Sequence, residues 1–226
     1  IAVAIVASGN YIAGTIWPPF MQSAIATYGW RATYIAIGII CVVIMLPLAQ
    51  LLRRRPHFDD SASPASQTSG RKGLLPSHPL LYPALVLAGL ACCVAMSMPQ
   101  VHIVAYCADL GYGPARGAEM LSMMLGFGVI SRLASGFIAD RIGGLATLIA
   151  GSFLQMLALI LYIPFDGLVS LYVVSALFGL SQGGIVPSYA LIIRDHFPAR
   201  EAGARISMVL TATVFGMALG GWLSGE

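Results

Sequence analysis

The feature that most constrains this chain is a series of seven long apolar runs, at residues 1–26, 32–52, 80–108, 118–139, 145–165, 168–193 and 205–223. Each comes close to or exceeds the ~20 residues that a helix needs to cross the hydrocarbon core of a bilayer. Backbone groups left unpaired in hydrocarbon are too costly for anything but helices or closed barrels, and the alternating segments of ~10 residues that mark a membrane barrel are absent. Composition agrees: 58% of residues are hydrophobic and 9% charged, whereas a soluble domain carries about a quarter charged residues. The predicted fold class is therefore all-α, a polytopic membrane helical bundle with the lipid bilayer as its solvent.

Between the second and third runs lies a polar stretch, residues 53–79, in which Arg53, Arg54 and Arg55 precede a segment rich in Ser, Pro, Gly and Asp. It reads as a solvated linker. The other connections are short, so consecutive helices are expected to be antiparallel neighbours. The net charge of +3 does not point to nucleic acid, because the basic residues sit at the ends of apolar runs and do not interleave with exposed aromatics. Cys41, Cys92, Cys93 and Cys107 lie inside apolar runs without metal-ligand spacing, so neither a disulfide nor a metal is expected, and no cofactor. The first run lacks an initiator methionine and the basic flank of a signal peptide, and reads as starting mid-protein.

Positive charge sets the expected orientation. With the linker cytoplasmic, Arg53, Arg54, Arg55, Arg71, Lys72, Arg141, Arg194, Arg200 and Arg205 fall inside, leaving Arg31 and Arg116 outside. The first run then points outward, and the loops at 28–31, 109–116 and 164–167 face the exterior.

Arg132 is the most informative single residue. It precedes Asp140 by eight positions, which places it roughly 12 Å inside the cytoplasmic end of its helix at ~1.5 Å rise per residue. A charge at that depth costs at least ~2.5–3.5 kcal/mol on insertion scales, and such residues face a cavity or a partner. A structural pair with a carboxylate and an anion-binding guanidinium are the two readings. His102 follows Pro99 and Gln100 near the outer end of the third run. Proline frees a carbonyl and bends a helix, which suits a gate, while a hydrogen-bonded packing histidine is the plainer alternative. Asn10 and Tyr11 stand between Gly9 and Gly14, and Gln182 stands between Ser181 and Gly183-Gly184. Close helix packing and cavity lining both fit these spots.

The run Gly136-x-x-x-Asp140-Arg141-x-Gly143 resembles the cytoplasmic-loop signature of the major facilitator superfamily in its second-half copy. That resemblance implies two six-helix bundles joined by a cytoplasmic linker and makes the runs helices five to eleven, about seven of twelve, an incomplete fold. Residues 1–52 would be the last two helices of the N-terminal bundle, and 80–226 the first five of the C-terminal one. Pro18-Pro19-x-x-Gln22, Tyr28-Gly29-Trp30-Arg31, Val101 to Tyr106 with Asp109-Leu110-Gly111, and Gly183 to Pro187 look like the monocarboxylate-porter and oxalate/formate-antiporter branch. In that branch an arginine in helix eight binds substrate carboxylate, and Arg132 occupies the corresponding place. Two positions depart from the pattern. Gly128 stands where animal-type monocarboxylate porters carry an aspartate, and Gly144 stands where the loop signature usually ends in a basic residue. The oxalate exchangers' lysine in helix eleven also has no counterpart in 205–223.

The expected function is alternating-access transport of a small organic anion of monocarboxylate type, as symport with a proton or antiport against a counter-anion. Arg132 would hold the carboxylate, His102, Gln182, Asn10 and Tyr11 would line the path, and Gly136, Asp140, Arg141 and Gly143 would form the gating loop. An integral protein of the plasma (inner) membrane is expected. An exporter of drugs or other hydrophobic molecules, and a non-transporting sensor on the same fold, remain alternatives. An enzyme is not expected, since only His102 and Arg132 could serve chemistry inside the bilayer.

Overall fold

The computed structural model describes residues 2–52 and 79–225, and every regular element among them is helical. The helices are α1 (Ala2–Tyr28), α2 (Trp30–Leu52), α3 (Leu81–Asp109), α4 (Pro114–Ile142), α5 (Gly144–Leu161), α6 (Leu168–Gln182), α7 (Ile185–His196) and α8 (Ala199–Leu223). Most of the expected linker, residues 53–78 with Arg53, Arg54, Arg55, Arg71 and Lys72, lies outside the described residues.

Six stretches are long and apolar enough to cross a membrane: Trp30–Gln50, Leu81–Asp109, Pro114–Ile142, Gly144–Leu161, Leu168–His196 and Arg200–Leu223. Seven were expected. The first run does form a helix of 27 residues, but Ser8, Asn10, Tyr11, Thr15, Trp17, Pro18 and Pro19 dilute its apolar character. The run 168–193 is also not one helix. The helical pattern lapses at Gly183-Gly184 and divides it into α6 and α7, although both glycines keep right-handed dihedrals. α4 and α8 begin earlier than their apolar runs, because polar first turns are helical too. In α8 that turn holds Arg205 against Glu201 at 2.8 Å, with the guanidinium 4.3 Å from the Phe197 ring centre.

Two units are distinguished, one of residues 1–19 and 74–226 and one of residues 20–73. In the smaller unit α1 ends at Gly29, whose φ of +78° turns the chain into α2, and Thr33 Oγ1 donates to the Gly29 carbonyl at 2.9 Å. In the larger unit α3 packs along α8 and α4 along α6, with α5 against α6 and α7. Its outward surface is apolar, with Ile130, Phe137, Phe153, Val169 and Val173 exposed, while Ser97, Ser131, Arg132, Gln155, Gln182 and Ser188 are buried. This is the inversion expected of a chain solvated by lipid, where polar groups must find partners inside. Gln155 does so by donating to the Cys92 carbonyl at 3.2 Å, and the Tyr162 and Ser175 hydroxyls bond at 2.9 Å.

α4 stops at Gly143, whose amide donates to the Ala139 carbonyl at 3.0 Å and whose φ of 88° and ψ of 160° lie in a region essentially reserved for glycine. Gly143→Ala is expected to cost about 1–3 kcal/mol, read as a lower apparent Tm of the detergent-solubilised protein.

Candidate functional site

Arg132 projects from the middle of α4 and is 6% exposed. Its guanidinium is held by a backbone carbonyl and by an aromatic face, among other contacts. Its Nε donates to the Gly183 carbonyl oxygen at 3.1 Å, and its Cζ lies 4.3 Å from the centre of the Tyr11 ring. A desolvated cation over an aromatic face is worth about 2 kcal/mol.

The Gly183 contact depends on a close approach of α4 to the α6–α7 junction. A methyl group at Gly183 would lie 2.5 Å from the Gly128 carbonyl oxygen and 2.6 Å from the Arg132 amide nitrogen, so only hydrogen fits. Ser131 strengthens the same junction by donating to the Leu180 carbonyl at 2.5 Å. The Tyr11 contact depends on Gly128. A Cβ there would stand 2.5 Å from two carbons of the Tyr11 ring, so the position where the resemblance leads one to expect an aspartate is the seat of the tyrosine that covers Arg132. Tyr11 is itself buried, and one turn on Ser122 donates its hydroxyl to the Thr15 carbonyl, tying α1 to α4.

Gln182 is fully buried one residue before the carbonyl that holds Arg132. Its Oε1 accepts from Gln100 Nε2 at 2.6 Å, and its own Nε2 has no acceptor among the described residues. The structure thus joins Tyr11, Arg132 and the Gln182-Gly183 step. It does not bring His102 or Asn10 into that group. His102 Nε2 donates to the Gly221 carbonyl of α8 at 3.0 Å, and Asn10 is exposed.

A cleft of about 70 Å³ runs from Arg132 between α4 and α7, lined by Ser135, Gly136 and Asp140 on one side and by Gly184, Ser188 and Arg194 on the other. Two residues of the expected gating loop, Gly136 and Asp140, therefore share a cleft with Arg132, while Arg141 is exposed and Gly143 makes the turn. The second departure from the loop signature also stands at a tight contact. A Cβ on Gly144 would lie 3.1 Å from Leu191 Cβ and 3.3 Å from the Ser188 carbonyl oxygen, so any side chain there would press on α7. Sequence reasoning missed Gln100, Ser135, Ser188 and the contribution of Arg194 to the cleft. Only the flanking proline of Gln100 and the Gly-Gly pair beside Gln182 hinted at this grouping.

The chain matches the Major Facilitator Superfamily over residues 1–221. An MFS-type transporter of Gibberella moniliformis is 25% identical, covering 99% of this chain and 54% of the relative. Monocarboxylate transporter 13 of Rattus norvegicus is 24% identical, covering 100% of this chain and 52% of the relative. An agnestins efflux protein of Paecilomyces divaricatus is 23% identical, covering 93% and 47%. The chain spans about half the length of the curated relatives it matches. No solved structure matches it significantly. The extent of the family match and the helices able to span a membrane together make this chain a member of the Major Facilitator Superfamily and an integral membrane protein.

Proposed function

We propose that the whole protein carries a small organic anion of monocarboxylate type across the membrane by alternating access, with Arg132 as the carboxylate-binding cation. The observation that carries this reading is the Arg132 guanidinium itself, buried in an apolar bundle and held by the Gly183 carbonyl and the Tyr11 ring. A planar fork so held recognises carboxylate directionally, and the low dielectric around it strengthens the pairing. The likeness to monocarboxylate transporter 13 supports the same substrate class. On this reading residues 1–52 and 80–226 belong to two bundles, and the segment between them is a cytoplasmic linker of a plasma (inner) membrane protein. Coupling to a proton or a counter-anion belongs to the same proposal, and uptake under an imposed pH gradient distinguishes the two.

A second reading, export of larger hydrophobic compounds, draws on the likeness to the agnestins efflux protein and on an open, largely apolar groove of about 350 Å³ lined by Thr15, Pro19, Met123, Phe127 and Ile130. The test is accumulation of a radiolabelled short monocarboxylate in proteoliposomes of the full-length protein. Accumulation suppressed by other short carboxylates, and not by hydrophobic cations, is expected. Inhibition by the hydrophobic compounds alone would favour export, and no accumulation of any solute would favour a sensor.

A further inference from the structure

The cleft beside Arg132 has a polarity of its own. The α4 residues that line it, Arg132, Ser135, Gly136, Ala139 and Asp140, recur at the 3–4 residue spacing of one helical face. α4 and α7 run in the same direction along it. The Gly183 carbonyl, just before α7, meets Arg132, and Leu191 and Ile192, two turns into α7, meet Gly144 just past the end of α4. Arg132 therefore stands at one end of the cleft, and Asp140 and Arg194 at the other, roughly 12 Å along α4 for Asp140 and roughly 16 Å beyond Gly183 for Arg194 at ~1.5 Å per residue.

Between these ends the hydroxyls of Ser135 and Ser188 stand among small residues and the apolar side chains of Pro187 and Leu191. The Ser135 hydroxyl donates to the Arg132 carbonyl at 3.1 Å and the Ser188 hydroxyl to the Gly184 carbonyl at 2.7 Å, which leaves their oxygen lone pairs to receive further hydrogen bonds. A slot of about 70 Å³ with these two hydroxyls and the charged groups at its ends in its wall is large enough for water, whose share of liquid volume is ~30 Å³ per molecule. At the mouth, Arg194 and Asp140 are both exposed. The two ion pairs among the described residues, Arg116 with Glu119 and Arg205 with Glu201, include neither of them.

We propose that this cleft is a second, weaker anion subsite, with Arg194 as its cation, through which a small carboxylate passes between the aqueous end of the bundle and Arg132. The inference rests on the reading of Arg132 as the carboxylate-binding cation. Arg194 attracts the anion at the mouth, where water and the neighbouring Asp140 charge keep the hold brief. Deeper in, the Asp140 charge is left behind, solvent screening falls and attraction rises toward Arg132. Two cations of graded strength move an anion without trapping it. A plain structural role for Arg194, complementing the α7 dipole from its last turn, would affect stability and leave anion occupancy of the cleft unchanged.

Occupancy can be read by thiol protection in the full-length protein with its native cysteines replaced. Ala190→Cys places a reporter in the cleft wall, and Ser135→Cys gives a second. Both are expected to react with a membrane-impermeant methanethiosulfonate from one face of the membrane. Propanoate at roughly ten times its half-protecting concentration is expected to slow the reaction about tenfold, and neutral propanamide to leave it unchanged. Arg194→Gln is expected to abolish the protection and Arg194→Lys to keep part of it. Lack of labelling at both reporters, equal protection by propanamide, or full protection in Arg194→Gln would each overturn the proposal. Unimpaired propanoate uptake by Arg132→Gln would instead overturn the carboxylate reading of Arg132, and is scored in a separate transport assay.

Discussion

Arg132→Gln in the full-length protein is expected to lower uptake of a short monocarboxylate on the order of 10²-fold, because removing one partner of a buried, hydrogen-bonded charge pair costs ~2–5 kcal/mol. Arg132→Lys is expected to recover only a small part of the loss. An ammonium is a point charge without the planar fork, and it cannot both donate to the Gly183 carbonyl and present a flat face to Tyr11 as the guanidinium does. Tyr11→Phe keeps the ring over the cation and is expected to be mild, whereas Tyr11→Ala uncovers it. Radiotracer uptake at several substrate concentrations, normalised to protein in the membrane, measures all four. In the Arg132→Gln variant the lost ring and carbonyl contacts are offset by removal of a charge from inside the bundle, so its apparent Tm is expected to stay near that of the parent. A collapse in Tm accompanied by loss of uptake would mark Arg132 as a structural charge.

The second large effect is expected at Gly183. An alanine there would drive its Cβ against the Gly128 carbonyl, the Arg132 amide and Ser131 Cβ, at 2.5, 2.6 and 2.8 Å. Two of these are backbone atoms, which have no rotamer to yield. The α6–α7 junction must then move away from α4, costing about 1–3 kcal/mol of stability as overpacked cores do. The same movement withdraws the carbonyl that holds Arg132, so Gly183→Ala is expected to lose stability and transport together. Gly203→Ala is the control. Nothing lies within 4 Å of a Cβ at that position in α8, and replacing a helical glycine by alanine is worth about 0.5–1 kcal/mol in favour of the variant. Thermal unfolding in detergent beside uptake in proteoliposomes measures both. Equal behaviour of the two variants would show that the close approach is not required.

The depth of Arg132 was legible in the sequence because a lone charge inside an apolar run has few ways to be tolerated. The turn after α4 was legible for a similar reason, since Gly136, Asp140, Arg141 and Gly143 form a local pattern whose geometry depends on near neighbours. What surrounds these residues was not legible. Gly128 and Gly144 read as departures from a pattern, and both are contact surfaces: one seats the Tyr11 ring, the other lies against α7. His102, which reads as a gate residue, bonds a carbonyl 119 positions away, a separation that no local spacing encodes.

The sequence by itself determined that this chain is a set of membrane helices, where most of them lie, and which single cation stands deep among them. Hydropathy, length and charge act residue by residue against a uniform solvent, so these properties can be summed along the chain. The tertiary structure alone decided that Gly183-Gly184 divides the sixth run and that Tyr11, Arg132, Gly183 and Arg194 share one region. These depend on which faces of distant helices meet. That choice is made by shape, through glycines that let backbones approach, and shape is a property of pairs of elements rather than of any one stretch of sequence.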